Sequence, residues 1–276
     1  MLSVIPGLAV AGNVLAYPRR DIEVSELVAG ALERINAYRL ASGVPAAELH
    51  PALMSSASGH VSYFDQNPDA YMTGLGLHEQ SEERAGFTGA TMRDRARGAG
   101  YSLGPVTENA GFGGLVIATD WAMGTVNHRL PLIHPSAVDL GLAQSDVSGF
   151  NVMAVGLRRG LEHGMLPSFY PADGATGVSV LWDGGETPDP APGLARPLGF
   201  PVTVCFALGQ QVDWESLELV GGDGAPVEAD IRQTSWMSAA ALIPHTPLAH
   251  ASTYVVRLRA RLPGGTIDRE SSFQTR

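Results

Sequence analysis

Apolar residues recur every three or four positions in the first half of the chain and every second position in the last third. Val24 to Ser42 places Val24, Val28, Ala31, Ile35 and Tyr38 on one stripe and stops at Gly43, which predicts a helix. Pro51 to Phe64 predicts a second, with Met54, Ala57, Val61 and Phe64 on its apolar face and proline in its first turn. Asn67 to Gly89 is polar and glycine-rich and reads as a long loop. Short helices follow over Thr91 to Ala99, ended by Gly100, and over Leu115 to Met123, which carries Trp121. AVDLGLA and NVMAVGL flank the turn-like QSDVSGF and alternate as two antiparallel strands.

The pattern changes after His163. Pro171 to Pro201 is rich in Pro, Gly and Asp, and then short alternating runs recur: PVTVCFAL, SLELVG, PVEADI, AALIPH, TYVVRLRA and SSFQTR. GGDG and PGG separate some of them, and no long helix is legible. Several short strands with turn signals predict a β-sandwich. The expected boundary lies near Gly164, with residues 1–164 as a helical–sheet domain (core 24–157) and 165–276 as an all-β domain. Each half is expected to fold alone. Trp121 is expected to be buried, packing the helix that delivers His128.

Composition removes several classes of function. The chain has 276 residues and a formal net charge of −10, so it repels phosphate backbones and nucleic acid is not an expected partner. All its basic residues are arginine, which leaves no lysine for Schiff-base chemistry or a phosphate loop. The lone Cys205 sits in an alternating apolar run and reads as a buried strand residue. Residues 1–16 are apolar without a basic flank and read as a leader, an early strand or a trimmed end. No stretch of about 18 uninterrupted apolar residues predicts a transmembrane helix.

Most of the eight histidines have a local reading. His60 falls on the apolar face of the second helix, His50 starts that helix, and His134 lies between turns. His78 in the polar loop, Glu108 in TENAGFG, a glycine-rich turn entering the Trp121 helix, and His128 at a helix end before a turn fit no apolar periodicity. Two imidazoles and a carboxylate suit a divalent transition metal with an open position for water. They equally suit anion binding or acid–base chemistry near neutral pH. GxSxG, GxxxxGK[ST] and GxGxxG entering a helix are all missing.

The order of these pieces resembles the CAP superfamily, the cysteine-rich secretory, antigen 5 and pathogenesis-related proteins, in its small bacterial form (the SCP domain). LERINAYRLASGVPAAELHPALMSSASGH is similar to the family's two opening helices, on Asn36, Arg39, Pro51, Leu53 and His60. GLHEQ resembles the segment of the first cleft histidine, here His78. TENAGFG resembles the G-E-N segment, with Glu108 as cleft acid and Asn109 beside it, and WAMGTVNHRLPLIHP resembles the W-x-x-S-x-x-H-R segment, with His128 as second cleft histidine next to Arg129. The second cleft acid that many eukaryotic members carry after the tryptophan is absent, because Met123 and Gly124 stand there. Residues from Pro171 on resemble a bacterial Ig-like module.

The resemblance implies a mixed α+β fold: a CAP-type α-β-α sandwich with one cleft, followed by an all-β Ig-like sandwich. It implies a secreted, periplasmic or cell-surface protein, not an enzyme, that binds a metal, a small molecule or a lipid between His78, Glu108 and His128. Asn109, Trp121 and Arg129 would support the cleft, zinc is the expected ion, and a cell-surface or cell-wall partner is expected. Two alternatives stand beside this reading. One is a zinc-dependent hydrolase acting on peptide or cell-wall substrates; the other is a structural surface module with a vestigial cleft.

Overall fold

A computed structural model describes residues 24–72, 76–160 and 166–276. The expected boundary at Gly164 and the stretch 1–16 lie outside the described residues. The fold is mixed α+β, with helices in the first half and paired sheets in the second. No helix among the described residues is long and apolar enough to cross a membrane.

The helical half is built on a four-stranded sheet. α1 (Glu26–Ala41) is capped by Ser25, whose side chain accepts from the Val28 amide, and it buries Val28, Ala31, Ile35 and Arg39. β1 (Glu48–Leu49) leads into α2 (Pro51–Gln66), which has Pro51 at its start. α3 (Met92–Gly98) opens with a reciprocal Thr91–Asp94 capping box. β2 (Val106–Phe112), α4 (Leu115–Met123), α5 (Arg129–Ile133), β3 (Ala137–Gln144) and β4 (Phe150–Leu157) complete the half. The strand order is β1-β3-β4-β2, with β1 parallel to β3 and the other pairs antiparallel.

Helices cover both faces of this sheet. Leu140, Leu142, Met153 and Val155 pack with α1, α4 and α5, while Val152 and Ala154 pack with α2 and the α3 region. Every residue of β4 is therefore buried, the pattern of a strand covered on both sides. α2 lies so close to β3 that a Cβ on Gly141 would sit 2.1 Å from the Leu53 carbonyl oxygen, so glycine is required there.

The second half contains β5 (Ser168–Tyr170), β6 (Ala175–Val178), β7 (Leu181–Trp182), β8 (Leu198–Gly199), β9 (Val202–Cys205), β10 (Asp213–Gly221), β11 (Ala229–Thr234), β12 (Ala239–Pro244), β13 (Thr253–Leu262) and β14 (Gly265–Thr275). Two four-stranded sheets form, β10-β13-β14-β6 and β11-β12-β9-β5, beside the short β7–β8 pair. Tyr254, Val256, Leu258 and Ala260 point from β13 into the space between the sheets, where Val202, Val204, Ala240 and Leu242 meet them.

The other face of β9 and β12 is not exposed. Cys205, Ala239, Ala241 and Ile243 join Leu130, Leu132, Ile133 and Leu157 in one continuous apolar cluster, so the two halves share a core. Polar groups close the seam. The fully buried Arg129 donates to the carbonyls of Met123 and Pro201 and to Thr203 Oγ1, at 2.9, 2.9 and 3.3 Å. Its guanidinium carbon lies 4.4 Å from the Tyr170 ring centroid and 5.1 Å from that of Phe200. His134 Nε2 lies 2.9 Å from the Met237 carbonyl while its Nδ1 accepts from the Ser136 amide, which fixes the proton on Nε2. Arg39 donates to the carbonyls of Pro45, Leu132 and His134. Asn36 exchanges two hydrogen bonds with the backbone of Ala47. The N-x-x-R pair at the end of α1 thus fastens the following loop and α5.

Two expectations concerning local structure change. Glu108 stands within strand β2 rather than in a turn, because the ladder to β4 continues through Phe112. Trp121 is half exposed at 50%, not buried; α4 turns its Leu115, Thr119, Ala122 and Met123 face to the core instead.

Two outcomes follow from the seam. Arg129→Ala would strand the Pro201 and Met123 carbonyls and leave a void, costing about 3 kcal/mol or more. Trp121→Ala removes a half-exposed ring and should lower the melting temperature less; thermal unfolding of both variants checks the order. Burial pushes the Cys205 thiol up to about 12, so it should resist a disulfide reagent at pH 8 in the folded protein and react on adding denaturant.

Candidate functional site

Glu108 is the centre of a buried polar cluster. Its side chain is 1% exposed. Arg95 Nη2 donates to both carboxylate oxygens, at 2.9 and 2.8 Å, while Arg95 Nη1 donates to the His78 carbonyl at 3.0 Å. His78 Nδ1 lies 3.2 Å from Glu108 Oε1, and the His78 side chain is 49% exposed at the mouth of the cluster. The His60 ring stands behind, with Nε2 2.9 Å from the Leu77 carbonyl and Nδ1 2.9 Å from Gln80 Nε2. An amide nitrogen only donates, so His60 Nδ1 accepts and the neutral ring carries its proton on Nε2.

Burial alone would raise the Glu108 carboxyl, but the hydrogen bond from His78 and the charge of Arg95 outweigh it and hold its pKa below the usual carboxylate range. Burial takes His60 the other way, down to about 4, against the attraction of Glu108. Glu108 therefore stays an anion whose oxygens are occupied by arginine, and His60 stays neutral.

His128 meets the other face of β2, in a cleft that Leu77 also lines. Successive side chains of a strand leave on opposite faces. Glu108 turns to the α2–α3 side and its neighbour Asn109 to the α4–α5 side, where Asn109 Nδ2 donates to the His128 carbonyl at 2.8 Å. The structure thus pairs His78 with Glu108 and sets His128 with Asn109. Among the described residues no group of three His, Cys, Asp or Glu side chains is arranged to hold a metal. The expected His78–Glu108–His128 zinc set does not assemble, and the alternation of β2 is the physical reason.

The partner of His128 comes from the second half. Glu186, between β7 and β8, has a fully buried carboxylate that accepts from the Val126 and Asn127 amides and lies 3.4 Å from His128 Nδ1. Asn127 Nδ2 in turn donates to the Pro188 carbonyl at 2.7 Å. Thr125 Oγ1, 3.5 Å from the same ring nitrogen, gives its hydrogen to the Ala122 carbonyl. Both neighbours of Nδ1 are acceptors, so Nδ1 carries a proton. Met123 is buried in the core. Sequence reasoning passes over Glu186 because GGETPDP looks like linker; its one signal is a single glutamate inside a stretch rich in Pro, Gly and Asp.

A cleft of about 370 Å³ opens beside His128, lined by Asn109, Phe112, Ile117, Trp121, His128 and Met153 among others. The Trp121 ring lies 4.7 Å from the His128 ring, tilted by 60°. Phe112, Ile117 and Trp121 are all well exposed, and Tyr71 packs edge-on against Phe112. Arg129 takes no part in this cleft; it holds the seam beneath.

No family model matches the chain, and no curated protein matches it. Among solved structures, the crystal structure of CopC from Methylosinus trichosporium OB3b is similar at 17% identity, over 39% of this chain and 87% of that one, with a TM-score of 0.27. A likeness that slight carries no inference about fold or chemistry.

The buried cluster predicts acid sensitivity. An unfolded histidine binds its proton below about 6.5, whereas folded His60 waits until about 4. Stability should therefore be unaffected by His60 above 6.5, fall by roughly 2–3 kcal/mol as pH drops toward 4, and then level for this group. Glu108, with its folded pKa depressed, adds a further loss once pH falls below the unfolded carboxylate value. Urea unfolding at pH 7.0 and 4.5 measures the drop, which should be smaller in His60→Gln.

Proposed function

We propose that the chain is a non-enzymatic, extracytoplasmic CAP-type ligand-binding protein joined to an Ig-like sandwich, and that its cleft holds an apolar small molecule or a lipid chain. The observation that carries this is the cleft beside His128. Its walls are apolar, three large apolar side chains stand exposed at it, and its polar groups are few. At about 370 Å³ it falls in the size range of small-ligand pockets, roughly 300–1,000 Å³. Exposed clustered apolar surface rimmed by polar groups is a mark of a binding site.

Support for the CAP reading is the order of elements, helices on both faces of one sheet, and the structural work of Asn36 and Arg39. The two facing sheets support the Ig-like reading. Zinc is left out of the proposal. Among the described residues no three His, Cys, Asp or Glu side chains are grouped to hold a metal, and both Glu108 oxygens already accept from Arg95.

His128 supplies the polar end. With Nδ1 protonated and facing Glu186, Nε2 is the ring atom left to meet a ligand's hydroxyl or carboxyl. The cleft therefore suits an apolar body with one polar head.

Titration with N-phenyl-1-naphthylamine, with fatty acids and alcohols of 10–16 carbons as competitors, tests the reading. Saturable binding should weaken by roughly ten- to a hundredfold in Ile117→Asp, because a charge placed against an apolar ligand costs about 1–3 kcal/mol. Ile117 is 72% exposed, so the fold should be unaffected. Absence of saturable binding, or equal affinity in the variant, would overturn the proposal.

A further inference from the structure

Arginine is partnered almost everywhere in this chain. The exposed ones pair across strands, as Arg257 does with Glu270 and Arg259 with Glu215 and Asp268, and the buried ones donate to carbonyls or to Glu108. Even Arg269 and Arg276, near the end of the chain, donate to a carbonyl and a serine hydroxyl. Among the described residues, three arginines make no hydrogen bond and no ion pair: Arg93, Arg97 and Arg159. All three line the same pocket, of about 430 Å³.

We propose that this pocket is a binding site for phosphate esters, separate from the apolar cleft. Arg93 and Arg97 are four residues apart on α3, which puts them one turn apart on one face. Arg159 follows β4 and lines the same pocket, next in sequence to Arg158, which Asp139 holds. Ala96, Pro105 and Val106 are among the apolar lining, and Ser102 also lines the pocket. No carboxylate lines the pocket. The nearest acid in sequence, Asp94, is turned back into the capping box, where Oδ2 accepts from Thr91 N and Oγ1 at 3.1 and 2.7 Å. The hydroxyl of Tyr101, another lining residue, is likewise committed, donating to Asp139 at 2.8 Å.

The charge balance makes the arrangement pointed. On a chain of formal net charge −10, three guanidinium groups without a hydrogen-bonded acid, offset in part by the charge of Asp94 beside Arg93 and Arg97, create a local positive field against the general sign. Their number selects the ligand. Each guanidinium offers up to five donors in a fork, more in total than the two oxygens of a carboxylate can accept. A phosphate monoester offers three terminal oxygens and a charge of −1.5 to −2, and arginine forks match its geometry. The volume exceeds a bare phosphate and leaves room for a glycerol or sugar. The same chemistry is offered by a free phosphorylated metabolite and by an anionic phospholipid headgroup.

Two probes distinguish these sources: sn-glycerol 3-phosphate by titration calorimetry at low salt, and co-sedimentation with phosphatidylcholine vesicles containing phosphatidylglycerol. The full chain is compared with the triple variant R93Q/R97Q/R159Q and with R257Q, which removes an exposed arginine of the sandwich. Arginines 93, 97 and 159 are all exposed, so the triple variant should keep its fold, checked by thermal melting. Binding of glycerol phosphate that weakens roughly tenfold or more in the triple variant and not in R257Q assigns a soluble ester. Binding of the vesicles alone, with the same variant pattern, assigns a headgroup. No binding of either probe, an unchanged triple variant, or an equal loss in R257Q overturns the proposal.

Discussion

The guanidinium of Arg129 is the commitment around which the two halves are built. It is fully buried, and no carboxylate lies within ion-pair distance among the described residues. A charge removed from water is stabilised by what meets its donors and its faces and by charge nearby. Here Met123 and Pro201 supply carbonyls, Thr203 a hydroxyl, Tyr170 and Phe200 their rings and Glu186 an opposing charge, while Nη2 has no hydrogen-bond partner. All of those groups but Met123 lie after residue 166, so the helical half has an internal charge that the sandwich half mainly stabilises. Burial accordingly lowers the Arg129 pKa to about 10.

The same seam gives His128 its setting. Glu186 reaches across from the sandwich half and closes the backbone amides that precede α5. A carboxylate brought from the second half thus stands beside the ring where the first half has Met123 and Gly124. The cleft wall, by contrast, belongs wholly to the helical half, with Phe112, Ile117 and Trp121 on β2 and α4. Its position and its polar end therefore have different origins in the chain.

Much of the framework was legible because it obeys simple periods. The α1 and α2 stripes, the AVDLGLA–NVMAVGL pair, the buried Cys205 and the short strands of the last third all follow from burial on one face or two. What escaped depends on direction or on distant partners. Alternation along β2 sends Glu108 and Asn109 to opposite faces, and no residue pattern around TENAGFG announced that it was a strand. Trp121 looked like core because tryptophan usually is, yet α4 already had enough apolar residues for its inner face. Arg95 claimed Glu108 from a short helix that carried no signal beyond its cap. Glu186 needed a fold to give it a neighbour.

The seam is asymmetric in what it asks of the sequence. The sandwich half meets Arg129, His134 and Asn127 with main-chain carbonyls, those of Pro201, Met237 and Pro188, and its Leu208 amide meets the Ser136 hydroxyl. Backbone groups are supplied by any residue that keeps the strand or turn in place. Apart from Glu186, Thr203 and the Tyr170 and Phe200 rings, the sandwich side can therefore drift in sequence without losing these polar contacts, while the helical side is held to particular side chains. Evolutionary change along this contact should be tolerated on one bank and resisted on the other.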